Sequence, residues 1–278
     1  MHDQVTAELV DLAAGVGLQP MRMLQAGPGR ATLQARDRSG ERFVLKTASA
    51  PGALAGDVEA NAILAAEGLP VPQIVAYVDG SPSVLVLRWI DGDPISSRSP
   101  MGAQREAGRM LRTVHRLPGG PPYSGQPTVH GWITAWTEEL IAWWPSAGGT
   151  QEQVGTLRRR LDDLAPVLAD RSGSLTLFDG RAEHVLVRDG RVVGLIDLHD
   201  VGPGDPAMDL AVLGLTDPDL ICGVLTGYTD EPEGELAELV GFYLLLRRLA
   251  GAEWQLRQGF RIQGRALLDL AARQADGG

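Results

Sequence analysis

Strand-like and helix-like stretches are segregated along this 278-residue chain, and that segregation constrains the fold more than any single motif. Residues 21–25, 31–35, 42–47, 73–78 and 83–90 read as strands, with Asp37-Arg38-Ser39-Gly40 supplying hairpin chemistry between the second and third. Two helices are interleaved among them. One is amphipathic over 4–16, and the other is alanine-rich over 53–67, stopped by Gly68 and the extended Leu69-Pro70-Val71-Pro72. From Asp91-Gly92-Asp93-Pro94 onward helical periodicity takes over, at 102–116, 132–144, 151–169, 207–226 and 233–273. The strand-like interruption at 174–198 turns around Arg188-Asp189-Gly190-Arg191, and the Pro/Gly-rich stretch 117–127 reads as a loop. The pattern predicts an α+β fold of two lobes, a small sheet-rich N-lobe over 1–90 and a larger, mostly helical C-lobe over 91–278.

Composition narrows the partners. The formal charge of −10 argues against nucleic acid, whose phosphates want a basic surface. No run approaches the roughly 18 apolar residues of a membrane span, and Met1-His2-Asp3-Gln4 lacks a signal-peptide pattern, so neither membrane insertion nor export is expected. A single cysteine, Cys222, cannot form an intramolecular disulfide, which fits a reducing cytoplasm. Its apolar surroundings predict a buried structural thiol.

Two features carry chemistry. Leu175-Thr176-Leu177-Phe178 leads to Asp179, and His184 opens the next apolar strand five positions later. The turn at 188–191 then returns the chain along Val192-Val193-Gly194-Leu195-Ile196 to Asp197, close to where His184 begins. Phosphoryl transfer needs such a set, a carboxylate near the attacking hydroxyl and ligands that hold a divalent ion against the phosphates. Separately, Lys46 is the sole lysine among 25 basic residues, and it falls at the end of the predicted third strand.

These segments resemble the aminoglycoside phosphotransferase and choline kinase-like family of kinase-fold small-molecule phosphotransferases. The stretch 179–184 is similar to its His-Gly-Asp-x-x-x-x-Asn loop. Leu195-Ile196-Asp197 resembles its metal-binding strand end, and Gly204-Asp205-Pro206-Ala207-Met208-Asp209-Leu210-Ala211 its Gly-Asp-Pro-x-x-Asp-Leu-Ala run. The resemblance implies a bilobal protein-kinase-like fold. Asp179 would be the catalytic aspartate, and His184 and Asp197 would be metal ligands for Mg²⁺, with Mn²⁺ favoured by the imidazole. Asp205 and Asp209 would be structural. Lys46 would hold the phosphates of ATP or GTP. Gly27 and Gly29 would belong to a phosphate-covering loop, and the backbone from Arg88 to Ile90 would meet the purine. A carboxylate should orient Lys46; spacing favours Asp57 and residue identity favours Glu59.

The chain departs from the family pattern at Leu177-Phe178, where His-Gly is usual, and at His184, where Asn is usual. Macrolide phosphotransferases also carry His at that point. For the acceptor, a small molecule bearing a hydroxyl, the expected pocket residues are Trp132, Trp136, Glu139, Asp200, Glu253 and Trp254. The resulting expectation is phosphorylation of an aminoglycoside, macrolide, nucleoside antibiotic or related natural product. The alternative is a lapsed relative that binds nucleotide or a metabolite as a sensor or partner module. Nothing in the sequence indicates the oligomeric state.

Overall fold

The computed structural model describes residues 7–119, 128–229 and 234–277. The chain divides into two compact units, the first running to Pro94 and adding His184–Val201, the second comprising Ile95–Glu183 and the chain from Gly202 on.

The first unit is built on a five-stranded antiparallel sheet. Its strands are β1 (Gln19–Gly27), β2 (Arg30–Arg36), β3 (Arg42–Ala48), β4 (Ile74–Val78) and β5 (Ser83–Arg88), in the order β1-β2-β3-β5-β4. Alternation along β3 sends successive side chains to opposite faces. Phe43 and Leu45 pack with Leu33, Val84 and Val86 against Ala13 and Leu18, at and just after helix α1 (Ala7–Gly15). Val44 and Ala48 turn the other way, toward Leu54, Val58, Leu85 and Leu87, where helix α2 (Ala55–Ala66) lies. Lys46 shares that second face by register. The β2–β3 turn is set by Asp37, whose Oδ1 accepts the N–H groups of Ser39 and Glu41 at 2.8 and 2.9 Å, while Gly40 takes φ +88°. A smaller antiparallel sheet joins β6 (Asp93–Pro94), β8 (Val185–Arg188) and β9 (Arg191–Leu195). Leu195 N–H donates to Pro70 O at 2.7 Å, which ties β9 to the segment after α2.

The second unit is helical, with α3 (Met101–Val114), α4 (Val129–Trp143), α5 (Gln151–Ala169), α6 (Pro206–Leu213), α7 (Asp219–Tyr228), α8 (Glu235–Arg257) and α9 (Arg261–Asp276). Two short strands, β7 (Ser174–Thr176) and β10 (Gly202–Gly204), pair antiparallel. The first turn of α5 is closed by a reciprocal cap in which Thr150 and Gln153 each satisfy the other's backbone N–H. Helices α3 and α7 cross at backbone contact: a Cβ on Gly108 would lie 2.0 Å from Val224 O, and one on Gly227 would lie 1.9 Å from Arg105 O. Glycine is required at both positions.

The architecture is α+β, with a sheet-rich first unit and a helical second unit, and the element types follow the sequence reading closely. Two long helical runs are each broken. The run at 207–226 divides into α6 and α7, because Pro218 has no N–H and disfavours helical geometry at Asp217. The run at 233–273 divides into α8 and α9 at Gly259, which adopts φ +85°. Cys222 is exposed rather than buried, since α7 turns Leu220, Gly223 and Val224 inward. The expected loop at 117–127 lies outside the described residues from 120 on, as do residues 4–6 of the expected first helix. Among the described residues no helix is long and apolar enough to cross a membrane.

Candidate active site

In the first unit a cleft of about 430 Å³ opens beside β3. Val44, Pro72, Leu87, Ile90, Leu186 and Ile196 give it apolar walls, and Lys46, His184 and Asp197 supply its charged end. Lys46 Nζ donates to Asp57 Oδ1 and Asp197 Oδ1, both at 2.7 Å. Asp57 is buried in the first turn of α2, where the helix dipole favours a carboxylate. Asn61, one turn on, donates to Pro72 O at 2.8 Å and anchors that helix. Glu59 is exposed, so the partner of Lys46 is Asp57.

Burial alone would lower the Lys46 pKa, but the two carboxylates outweigh it and hold the ammonium above the ordinary lysine value. Burial likewise pushes Asp197 up, and Lys46, His184 and His199 reverse that and hold its carboxyl below the usual range. Asp197 adopts φ +59°, an unusual backbone state that aspartate tolerates better than most residues.

The β8–β9 hairpin brings the two expected metal ligands together. Ile196 N–H donates to His184 O at 2.9 Å, and His184 Nε2 stands 3.7 Å from Asp197 Oδ2. That separation exceeds a hydrogen bond and suits two donors that share one ion. An imidazole nitrogen and a carboxylate oxygen are compatible with Mg²⁺ and more so with Mn²⁺. His199 Nδ1 lies 3.9 Å from Asp197 Oδ1, and its Nε2 lies 3.1 Å from Asp200 Oδ1, so Asp200 engages His199.

At the other end of the cleft the backbone donors of Arg88 and Trp89 are occupied, giving to Gln73 O and Arg42 O at 2.9 and 3.0 Å. Among the described residues the N–H of Ile90 has no protein acceptor. Trp89 is held in place by Arg42, whose guanidinium sits 5.4 Å from the ring centroid and pairs with Asp91, and by its own indole N–H to Asp91 at 3.2 Å. Gly27 and Gly29 sit at the tip of the β1–β2 hairpin, where Gly29 takes φ +68°; neither lines the cleft.

Asp179 belongs to the second unit. The loop that carries it is fixed through its backbone: Asp209, fully buried, accepts Leu177 N–H at 2.6 Å and Phe178 N–H at 2.9 Å. His115 Nε2 lies 3.0 Å from the same carboxylate, and its Nδ1 lies 3.0 Å from Tyr228 Oη. Phe178 takes φ +57°, a strained state for an aromatic residue. Arg247 donates to its carbonyl at 3.3 Å and Trp132 packs edge-on at 5.8 Å, which together hold it there. Leu177 is buried. Backbone bonds and apolar packing therefore anchor this loop without the family's usual His-Gly. Below it, Asp205 caps α6 through Ala207 N–H and receives hydrogen bonds from Arg171 and Tyr243, whose phenol is pushed well up by burial and by Asp205.

Trp132 and Trp136 stack with centroids 6.2 Å apart, and Glu139 is exposed on the same helical face. Glu253 instead pairs with Arg257 at 2.6 Å, and Trp254, 56% exposed, leans on Phe260 at 6.3 Å. Both are taken up at the α8–α9 corner rather than by the tryptophan stack. Sequence reasoning missed Arg181, which pairs with Asp179, and the Arg42–Trp89–Asp91 clamp; an ion pair between flexible side chains leaves no periodic trace.

Solved structures share this fold. Macrolide 2'-phosphotransferase MphH from Brachybacterium faecium is 21% identical, with 98% of this chain and 97% of that one covered and a TM-score of 0.64. A thermostable mutant of aminoglycoside phosphotransferase APH(4)-Ia is 18% identical, covering 96% and 98%, with a TM-score of 0.71. A further variant of that enzyme, in ternary complex with ADP and hygromycin B, is 16% identical over 96% and 99%, with a TM-score of 0.69. No curated protein sequence matches. The model of the phosphotransferase enzyme family matches residues 26–254. That match takes in the strand of Lys46, the loop of Asp179 and the hairpin of Asp197, and it makes this chain a member of the phosphotransferase enzyme family.

Proposed function

We propose that this protein transfers the γ-phosphate of ATP or GTP to a hydroxyl of a small molecule, an antibiotic or related natural product of macrolide, aminoglycoside or nucleoside type. The observation that carries the reading is Lys46, the only lysine of the chain, held between Asp57 and Asp197 in a cleft whose walls include Val44, Leu87, Leu186 and Ile196. The purine would lie between Val44, Leu87, Leu186 and Ile196 and accept the N–H of Ile90. Lys46 would exchange its bond to Asp197 for the nucleotide phosphates while Asp57 keeps it oriented. Gly27 and Gly29 are proposed as the tip that covers the phosphates.

His184 and Asp197 would hold a divalent ion, Mg²⁺ or Mn²⁺, which when bound neutralises charge on the phosphates. Asp179 would orient the acceptor hydroxyl and take its proton. The stacked Trp132 and Trp136, with Glu139 beside them, would line the acceptor pocket, the rings meeting an apolar or sugar-bearing ligand and the carboxylate an amine. Roles for Asp200, Glu253 and Trp254 are weaker in this arrangement because each already engages a neighbour. The first unit thus serves as nucleotide-binding lobe and the second as acceptor lobe, in a protein that works in the cytoplasm.

The test is a mass-spectrometric screen of erythromycin, hygromycin B, kanamycin and a nucleoside antibiotic with ATP or GTP and Mg²⁺ or Mn²⁺. The reading expects one compound to gain a single phosphoryl group. Absence of any gain, together with no metal-dependent stabilisation by either nucleotide, would contradict it.

A further inference from the structure

We infer that Arg181 is a catalytic residue, the cation that meets the transferring phosphoryl group beside Asp179. The inference rests on the phosphotransferase reading with Asp179 at the acceptor hydroxyl. Arg181 Nη2 donates to Asp179 Oδ2 at 3.0 Å, while its Nε lies 3.0 Å from Oδ1. That second contact is not a hydrogen bond: Nε is buried, and no acceptor lies along its N–H. The backbone reinforces the pairing, since Arg181 N–H donates to Asp179 O at 2.8 Å and the intervening Gly180 is buried against Leu177. An ion pair 42% and 22% exposed at its two ends contributes little to stability, so shaping the loop is a weak reason for it.

The chemistry supplies a stronger reason. An anionic phosphoryl group approaching Asp179 is repelled by the carboxylate that must face it. A guanidinium already seated there removes that repulsion and has donors to spare for phosphoryl oxygens. In the transfer, the bond from the γ-phosphorus to the β–γ bridging oxygen breaks and its electron pair leaves on the nucleoside diphosphate. A new bond forms from phosphorus to the acceptor oxygen, and the hydroxyl proton passes to Asp179. Arg181 forms no covalent bond; its outward, exposed N–H groups bind the equatorial oxygens, where charge is spread in the transition state.

The experiment compares wild type, Arg181→Gln, Arg181→Lys and Asp179→Asn. Turnover of ATP is followed with erythromycin, with hygromycin B, and with water alone as acceptor, alongside unfolding temperature and AMP-PNP binding. Arg181→Gln should lose about 10²-fold in kcat with KM values, unfolding temperature and AMP-PNP binding little changed, and Arg181→Lys should recover part of the loss. The inference is overturned if Arg181→Gln keeps wild-type kcat. It is equally overturned if its loss tracks a lowered unfolding temperature and lysine restores nothing. A wild type without turnover in these arms and in the full screen of acceptors, nucleotides and metals, and without metal-dependent stabilisation by nucleotide, would show that the phosphotransferase reading itself had failed, and the inference with it. An Asp179→Asn variant as fast as wild type would show the same.

Discussion

At the scale of single residues, Lys46 is the point on which the first unit turns. It bridges two carboxylates that would otherwise repel each other, so Lys46→Met leaves Asp57 and Asp197 without their shared cation. That variant should lose nucleotide-induced thermal stabilisation as well as turnover. Asp57 and Glu59 separate cleanly: two residues apart on a helix they point about 200° apart, and the rotation of α2 selects Asp57. Asp57→Asn should therefore weaken ATP binding, measured by calorimetry, while Glu59→Gln leaves it unchanged. In the sequence, spacing pointed to Asp57 and residue identity to Glu59; the roll of α2 against β3 decides for the spacing. The lysine itself was legible, as the one lysine of the chain at a strand end.

The metal-free protein also carries a pH signature at these residues. The Asp197 pKa is held below its ordinary value, so its share of stability is present above the unfolded carboxyl pKa and is lost as pH falls through the lower folded value. Lys46 is held above 10.5, so its share is intact below that pH and is lost only as pH rises through the higher folded value. The stability difference between wild type and Asp197→Asn, measured by urea unfolding, should be flat from about pH 7 to about pH 4 and shrink at lower pH.

At the scale of elements, the Asp179 loop is held by Asp209 of α6, two residues of its own backbone and His115 of α3 all meeting one buried carboxylate. Asp209→Ala removes the acceptor for all three and should destabilise the protein by roughly 3–5 kcal/mol, read from chemical denaturation. Helices α3 and α7 offer a second check. Gly108→Ala drives a methyl against Val224 O and should cost about 1–3 kcal/mol through forced separation of the helices. Strands were legible here because β2, β3 and β5 alternate or run apolar between clear turn residues. The breaks in 207–226 and 233–273 were passed over although Pro218 and Gly259 stand at them, because apolar residues continue on both sides of each. The left-handed turns at Phe178 and Asp197 were also invisible, since neither residue announces positive φ as glycine does.

At the scale of the whole molecule, the order of segments was the most legible property: lysine strand, aspartate loop, returning hairpin and the Gly-Asp-Pro run occur in the sequence that the family match later spans. The acceptor was the least legible, because all its expected residues but Asp200 lie on α4 and α8, whose sequence records helix period before it records ligand chemistry. The acidic balance of −10 leaves the choice among acceptors open to experiment. The central claim is that this fold moves a phosphoryl group with Asp179 at the receiving hydroxyl. The most direct measurement is the rate of phosphoryl gain on the acceptor found by mass spectrometry, for wild type and Asp179→Asn, with AMP-PNP binding recorded on both. A fall of about 10²–10⁴-fold with binding retained is the predicted result; an Asp179→Asn enzyme that turns over at the wild-type rate would contradict the account.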